Sequence, residues 1–368
     1  MKKKFLELPD VNNPETKYVV FDLYRGTLTD NGATPWFTFL DLGTPERQRL
    51  KFAIDTGTTH TWVTSSRCIT EACLMHKRYN PNESITYKQV EDPYTPTIID
   101  FGPWGEMQAF LGSDSLFLKC GNGSGSIKEF EQPLMFYLSQ SYDGDQFKDL
   151  VWDGGISLPS KKPDNVDSDQ LMTILKDAGV IDSEVVTFYC ETETRQGKCL
   201  MGAIDPTKFD NSSFHFIPLA PLLNPSYCDL WTVKLEKLEC GFKTVLNDVH
   251  FCLDTGSSRF KGDAGYIEKI IYAVTNNFAL PSVIQSTEPD FTPYPEIYLQ
   301  LNGKRYRMNP SQYFMETSPG TWELAFHPME GLEGLLLVGS VFLENLYSIF
   351  FYEPYDEVRG IGLAELIK

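Results

Sequence analysis

The sequence predicts an all-β chain folded as two related lobes with a few short helices. Three observations carry that expectation. Short apolar runs bounded by Gly, Pro, Asn and Asp recur roughly every 8 to 12 residues, the spacing of an all-β domain. The stretch Ile54-Asp55-Thr56-Gly57-Thr58-Thr59 returns 199 positions later as Leu253-Asp254-Thr255-Gly256-Ser257-Ser258, each copy behind an apolar run. Finally, 368 residues with 42% hydrophobic and 13% aromatic content supply about two domains of ordinary size with real cores. The lobes are expected at residues 1–216 and 217–368.

Taken in order, residues 1–16 read as a mobile polar lead. Alternation from Lys17 to Tyr24 and from Thr34 to Leu42 predicts two strands. After the Gly43-Thr44-Pro45 turn, Arg49 to Ile54 delivers the first aspartate. Strands continue to about Leu118, and Gly121 to Ser126 reads as a hairpin tip, since it lacks the Lys of a phosphate loop. Gln170, Leu171, Ile174 and Leu175 share one face of a short helix expected from Asp167 to Ala178. A hairpin (Val185 to Tyr189, Leu200 to Ala203) and an apolar run (Phe214 to Leu219) lead into the second half. There, strands are expected at Leu230–Leu238 and Val245–Leu253, a helix at Tyr266–Asn276, and strands again to the end.

The net charge of -18 argues against nucleic acid, because phosphate binding needs a basic face. Met1-Lys2-Lys3-Lys4 resembles the start of a signal peptide, but Phe5-Leu6-Glu7-Leu8-Pro9-Asp10 is not an apolar run, and nothing reaches membrane-spanning length. The expectation is a protein of the cytoplasm, or one exported without such a signal, unless a leader was trimmed. Among eight cysteines, Cys68/Cys73 and Cys190/Cys199 each bracket a short turn-rich segment and look like local disulfides. Cys120, Cys228, Cys240 and Cys252 have no evident partners. Without a C-x-x-C pair or H-E-x-x-H, neither metal nor other cofactor is expected, and the five histidines read as surface or satisfied core residues.

The repeated motif carries the chemistry. Two aspartates brought face to face cannot both ionise, so one keeps a proton that the other lacks. That asymmetry provides a general base and a general acid without metal or covalent intermediate. Water between Asp55 and Asp254 would be deprotonated by the ionised member and attack a carbonyl polarised by the other. Thr56 and Thr255 can reach across to the opposite loop. Thr58 and Ser257 can donate to the outer carboxylate oxygens, ordinary turn capping being the bland alternative. Gly57 and Gly256 leave backbone open to an extended chain.

Here the sequence resembles the pepsin-like aspartic endopeptidases, from about residue 18 to the end. Beyond both Asp-Thr-Gly copies, Trp62 follows Asp55 by seven residues as the family's tryptophan does. Gly43-Thr44-Pro45, Tyr79-Asn80-Pro81 with Ser84-Ile85-Thr86-Tyr87, and Trp152-Asp153-Gly154-Gly155-Ile156 are similar to family segments. So are Pro295-Glu296-Ile297, Leu336-Leu337-Val338-Gly339 and Ile361-Gly362-Leu363-Ala364. The resemblance implies two barrel-like lobes with an active-site cleft between them, hydrolysis of peptide bonds between apolar residues at acidic pH, peptide or protein substrates, inhibition by pepstatin-like compounds, a monomer, and no membrane or nucleic-acid partner. It gives Cys68 and Cys73 the spacing of the family's first disulfide loop. Substrate contacts would come from Trp62, Phe101, Gly102, Trp104, Trp152, Gly155, Ser258 and Arg259.

Several positions depart from the family. The flap tyrosine falls on Phe101, which cannot hydrogen-bond the Trp62 indole. Trp104 would cover the substrate instead or serve only as a hydrophobic loop residue. Ser157 stands for a glycine, and Gly155 for an apolar pocket wall that Trp152 partly replaces. Arg259 and Lys261 stand where apolar residues are usual. A cation there would favour acidic side chains at an outer subsite or lower the dyad's pKa, and a solvated surface pair is the bland alternative. No long basic prosegment fits ahead of Lys17, as in prosegment-free bacterial relatives or a trimmed chain. These departures motivate one alternative from another class, a catalytically impaired peptide- or protein-binding protein of the same fold.

Overall fold

In the computed structural model the described residues are 8–90, 95–191, 194–220, 229–355 and 357–367. Residues 1–7 of the predicted lead and Cys228 lie outside them. What is described of the lead is pinned rather than mobile. Val11 N donates to Ile204 O at 2.9 Å and Ile204 N to Pro9 O at 2.7 Å, because this segment runs alongside Ile204 as a short parallel bridge.

Strands dominate, as the alternation predicts. Ile297–Leu301 buries Ile297, Leu299 and Leu301 and leaves Tyr298 and Gln300 half-exposed, the period of a sheet with one wet face. The predicted hairpin tip joins two strands of 17 residues, Glu106–Asn122 and Ile127–Asp143. Two short strands, Gly154–Ser157 and Leu335–Val338, are buried at every position. Both pair in parallel with the strands that lead to the aspartates, and strands buried on two faces need unbroken apolar sequence.

The halves are joined by backbone as well as by packing. Val185–Glu191 pairs with Leu346–Tyr355, and His215–Pro218 pairs with Val358–Glu365. Lys17–Arg25 adds to the same sheet through Gln196–Met201. The last strands of the chain are therefore hydrogen-bonded to strands of its first half. A separate seven-stranded sheet carries residues 232–338 of the second half. One apolar core runs through both halves, and a smaller one (Trp62, Tyr142, Phe147, Trp152) lies under the Thr97–Asp100 hairpin.

Both helices are present, with shifted ends. Leu171–Asp177 starts four residues later than predicted, because Asp169 Oδ2 accepts from Met135 N at 2.8 Å while Asp169 N donates to Met135 O at 3.0 Å. That pairing holds the segment extended. Ala264–Val274 begins two residues early, since the Asp263 carboxylate caps Gly265 N and Tyr266 N. Among the described residues no helix is long and apolar enough to cross a membrane.

The second expected disulfide is absent. Cys68–Cys73 is bonded, but Cys190 and Cys199 are free thiols. In the hairpin register Cys190 faces Gly197 and Cys199 faces Phe188, so the two are diagonal neighbours. Diagonal pairs in a sheet sit roughly 7–8 Å apart, beyond the reach of a disulfide without backbone movement. Spacing around a turn could not reveal that two-residue offset.

Candidate active site

The two repeats meet at the bottom of the cleft. Asp55 ends the strand Gln48–Asp55, and Asp254 follows Lys243–Leu253 directly. Each strand is clamped by its short parallel partner: Leu158 N donates to Asp55 O at 2.7 Å, and Asp254 N donates to Val338 O at 2.9 Å. The carboxylates face each other across a gap that only glycine leaves open. A Cβ on Gly57 would stand 2.4 Å from Asp254 Cγ, and one on Gly256 would stand 2.2 Å from Asp55 Cγ. Gly57 N donates to Asp55 Oδ1 and Gly256 N to Asp254 Oδ1, both at 2.8 Å. Burial, followed by the charge of Asp254, holds the Asp55 carboxyl well above the ordinary carboxylate range.

The motif threonines lock the loops together. Thr56 N donates to Thr255 Oγ1 at 3.1 Å and Thr255 N to Thr56 Oγ1 at 3.0 Å. Each hydroxyl then passes its own proton to the opposite strand, Thr56 to Leu253 O at 3.1 Å and Thr255 to Ile54 O at 2.6 Å. Four bonds around a local two-fold, one buried and three part-buried, fix the carboxylate spacing with all four donors used. Among the described residues no side-chain hydrogen bond joins Thr58 to Asp55 or Ser257 to Asp254, although Ser257 N donates to the Asp254 backbone O at 3.4 Å. Ser257 Oγ instead accepts from Lys261 Nζ at 3.2 Å.

On the first-half side an aromatic cluster borders the pair. Trp62 packs edge-to-face on Phe101, Tyr142, Phe147 and Trp152 at centroid distances of 5.7 to 6.2 Å. Phe101 thus meets the indole as a ring rather than as a hydrogen-bond partner. Gly155 makes room, since a Cβ there would lie 3.1 Å from Trp62 Nε1. Trp152 Nε1 donates to Thr34 O at 3.2 Å. Trp104, in the turn Gly102–Trp104, lies 6.2 Å from Phe147 and 6.4 Å from Trp152. Ser157 is buried with its hydroxyl satisfied by Thr61 Oγ1 at 2.9 Å and Gln170 Nε2 at 3.2 Å.

The second-half side is charged. Arg259 is 1% exposed and Lys261 7%, so the pair is not solvated. Arg259 Nη2 meets Asp30 Oδ1 at 2.7 Å, and its Nη1 lies 2.6 Å from His327 Nε2. Burial, with Arg259 beside it, pulls His327 down to about 4, so it offers that nitrogen as an acceptor over most of the pH range. Ser258 is fully buried, and its N–H donates to Gly32 O at 3.0 Å. Asp30, Phe147, Tyr142 and His327 escaped sequence reasoning. They come from three distant segments, Tyr142 and Phe147 sharing one, and no local pattern marks any of them.

A cleft floored by two facing aspartates, between halves related by a local two-fold, defines the aspartic proteases. The chain belongs to the eukaryotic aspartyl protease family, which it matches over residues 35–366, and is an aspartic endopeptidase by class. It is 24% identical to Pepsin II-2/3 of Oryctolagus cuniculus over 356 residues, covering 92% of this chain and 84% of that protein. Cathepsin E of Aquarana catesbeiana is 26% identical over 370 residues (94% and 83%), and chymosin of Bos taurus 26% over 349 residues (92% and 83%).

Proposed function

We propose that Asp55 and Asp254 are the catalytic dyad of an endopeptidase that cuts extended peptides between apolar residues in acid. The observation that supports this most directly is the exchange of space between the loops, each glycine vacating the volume that the other aspartate's carboxylate fills. A like-charge pair so close shares one proton. The raised Asp55 carboxyl holds it and hydrogen-bonds the scissile carbonyl oxygen, while the ionised partner takes a proton from water. The water oxygen bonds to the carbonyl carbon, and the proton taken from water passes to the amide nitrogen as the C–N bond breaks, leaving an acid and an amine. Phe101 and Trp104, the partly exposed rings packed on buried Trp62, Phe147 and Trp152, offer an apolar wall to the side chain before the bond. Peptide backbone runs between the hairpin and the floor, where main-chain bonds set its register.

Cleavage of a quenched peptide with apolar residues flanking the bond, followed from pH 3 to 7 with and without pepstatin, tests this. Activity should peak below about pH 5 and vanish with pepstatin. Asp55→Asn and Asp254→Asn should each lower kcat by about a thousandfold. Full activity in both variants would end the proposal, and tight pepstatin binding without cleavage would favour the impaired, binding-only protein.

Stability carries the same signature. Since the folded-state value of Asp55 is raised, the protonated form belongs to the fold. Stability is therefore full at low pH and is lost as pH rises from the ordinary carboxylate range through the folded-state value. Thermal unfolding from pH 3 to 7 should show that decline, and Asp55→Asn should flatten it.

A further inference from the structure

Beside the aspartates is a cavity of about 160 Å³, lined by Asp30, Gly32, Trp104, Arg259, Lys261 and His327 among others. Its two cations come from the segment immediately after the second Asp-Thr-Gly, yet they are nearly sealed from water. Charges that deep are held only where anions or hydrogen-bond acceptors compensate them. Compensation here is incomplete. Arg259 has Asp30 as its counter-ion, but the Asp30 side chain is 73% exposed and so a weak, screened partner. Arg259 Nε is buried without an acceptor among the described residues. Lys261 Nζ has one hydrogen-bond acceptor among the described residues, Ser257 Oγ, and otherwise lies 5.4 Å from the Trp104 ring centroid. An ammonium has three N–H donors, so it has capacity to spare.

The groups that face these cations are few. Lys261 feels Asp254 and Asp55, which favour its charge, and Arg259, which opposes it, with burial strongest of all, so that it falls to about 8. It remains protonated throughout the acidic range. Arg259 faces Asp30 and His327, and Glu323 lies close behind. Asp30, Glu323 and His327 gather as tightly as metal ligands do. The guanidinium already lies between Asp30 and His327, so that cluster holds Arg259 in place and is no cation site. Among the described residues Lys261, unlike Arg259, has no carboxylate at ion-pair distance.

We propose that this cavity is a specificity pocket for an ionised carboxylate side chain of the substrate, so that the enzyme selects Asp or Glu at one position away from the scissile bond on the Arg259 side. The proposal rests on the peptidase assignment above and adds a substrate class to it. The carboxylate would enter beneath Trp104, accept from Lys261 Nζ, and face Arg259 in place of the solvent-screened Asp30. Charge-assisted bonds of this kind are short and roughly twice as strong as neutral ones. The contact is remote from the reacting atoms, so Arg259 and Lys261 act in recognition.

Paired quenched peptides test the idea, apolar at the two residues flanking the bond, with Glu or Gln walked through the positions on either side. At pH 5.5 one position on one side should favour Glu by about tenfold in kcat/KM. That preference should fade as pH falls below about 4, where the free Glu side chain takes up its proton. Cysteic acid at the same position, ionised throughout, should keep its advantage at pH 3. Lys261→Met should bring the Glu/Gln ratio toward one, and Arg259→Lys should reduce it. A wild-type ratio near one at every position at pH 5.5 would overturn the pocket, and so would a ratio that survives Lys261→Met. Should that variant fail to fold, the wild-type pH and cysteic acid series still decides. If neither peptide is cleaved, the peptidase assignment is what has failed. Anisotropy of the labelled Glu and Gln peptides then reads the pocket alone: tighter binding of Glu sustains it and equal binding overturns it.

Discussion

The two halves of the cleft share a backbone plan and differ in almost every side chain around it. In both, a strand ends at an aspartate, a threonine crosses to the other loop, and a short buried strand pairs in parallel beneath. Seven residues after each aspartate the chain returns antiparallel to that short strand, with Trp62 opposite Gly155 and Lys261 opposite Leu337. The first half thus walls the cleft with aromatic rings and the second with buried cations. Backbone symmetry brings the two carboxylates face to face. The asymmetry of the walls serves a peptide, which has direction and presents different side chains to the two sides.

The position below each aspartate gives the sharpest form of the comparison. Ser157 faces Asp55 in register, and Gly339 occupies the corresponding place under Asp254. Giving the second half the residue of the first should have the largest effect. A Cβ on Gly339 would stand 2.1 Å from Ser257 O, a backbone atom that cannot yield without moving the loop. Gly339→Ser should therefore cost about 3 kcal/mol or more by denaturant unfolding, with activity lost alongside.

The threonine lock comes next, and there the halves should behave alike. Thr56→Val and Thr255→Val each remove two bonds and leave a buried N–H without an acceptor. Each should cost about 2 kcal/mol in the same unfolding measurement. Clearly unequal losses would show that the two-fold is geometric and not energetic. The smallest effect is the reverse exchange. Ser157→Gly gives up the hydroxyl bonds to Thr61 and Gln170 but creates no clash, so about 1 kcal/mol is expected, with kcat nearly unchanged.

Much of this was legible in the sequence. The repeated Asp-Thr-Gly names the aspartates and places one in each half, and the strand alternation gives the all-β class, because both rest on local rules of turn and pleat. Trp62 and Trp152 came through the family resemblance, and the Cys68–Cys73 bridge was legible from its short loop, with the resemblance agreeing. The Cys190–Cys199 pair misled, since two cysteines flanking a turn look alike in any register while only direct opposition allows a bond. For Arg259 and Lys261 the sequence left a subsite cation and a solvated pair open, and burial removes the solvated pair. Charged residues are almost never fully buried unless paired, so composition points them toward solvent, whereas their place after the second motif takes them inside.

The sequence by itself determined the strands, the two presenting turns and the identity of the two carboxylates. These follow from residue type and near-neighbour spacing. Only the tertiary structure decided which atoms the carboxylates face, that burial and Asp254 raise the Asp55 carboxyl, and that Arg259 meets Asp30 and His327 across 229 and 68 residues of chain. Those properties depend on burial and on charges a few ångströms away. Both are set by the pairing of strands far apart in sequence, about which no local pattern carries information.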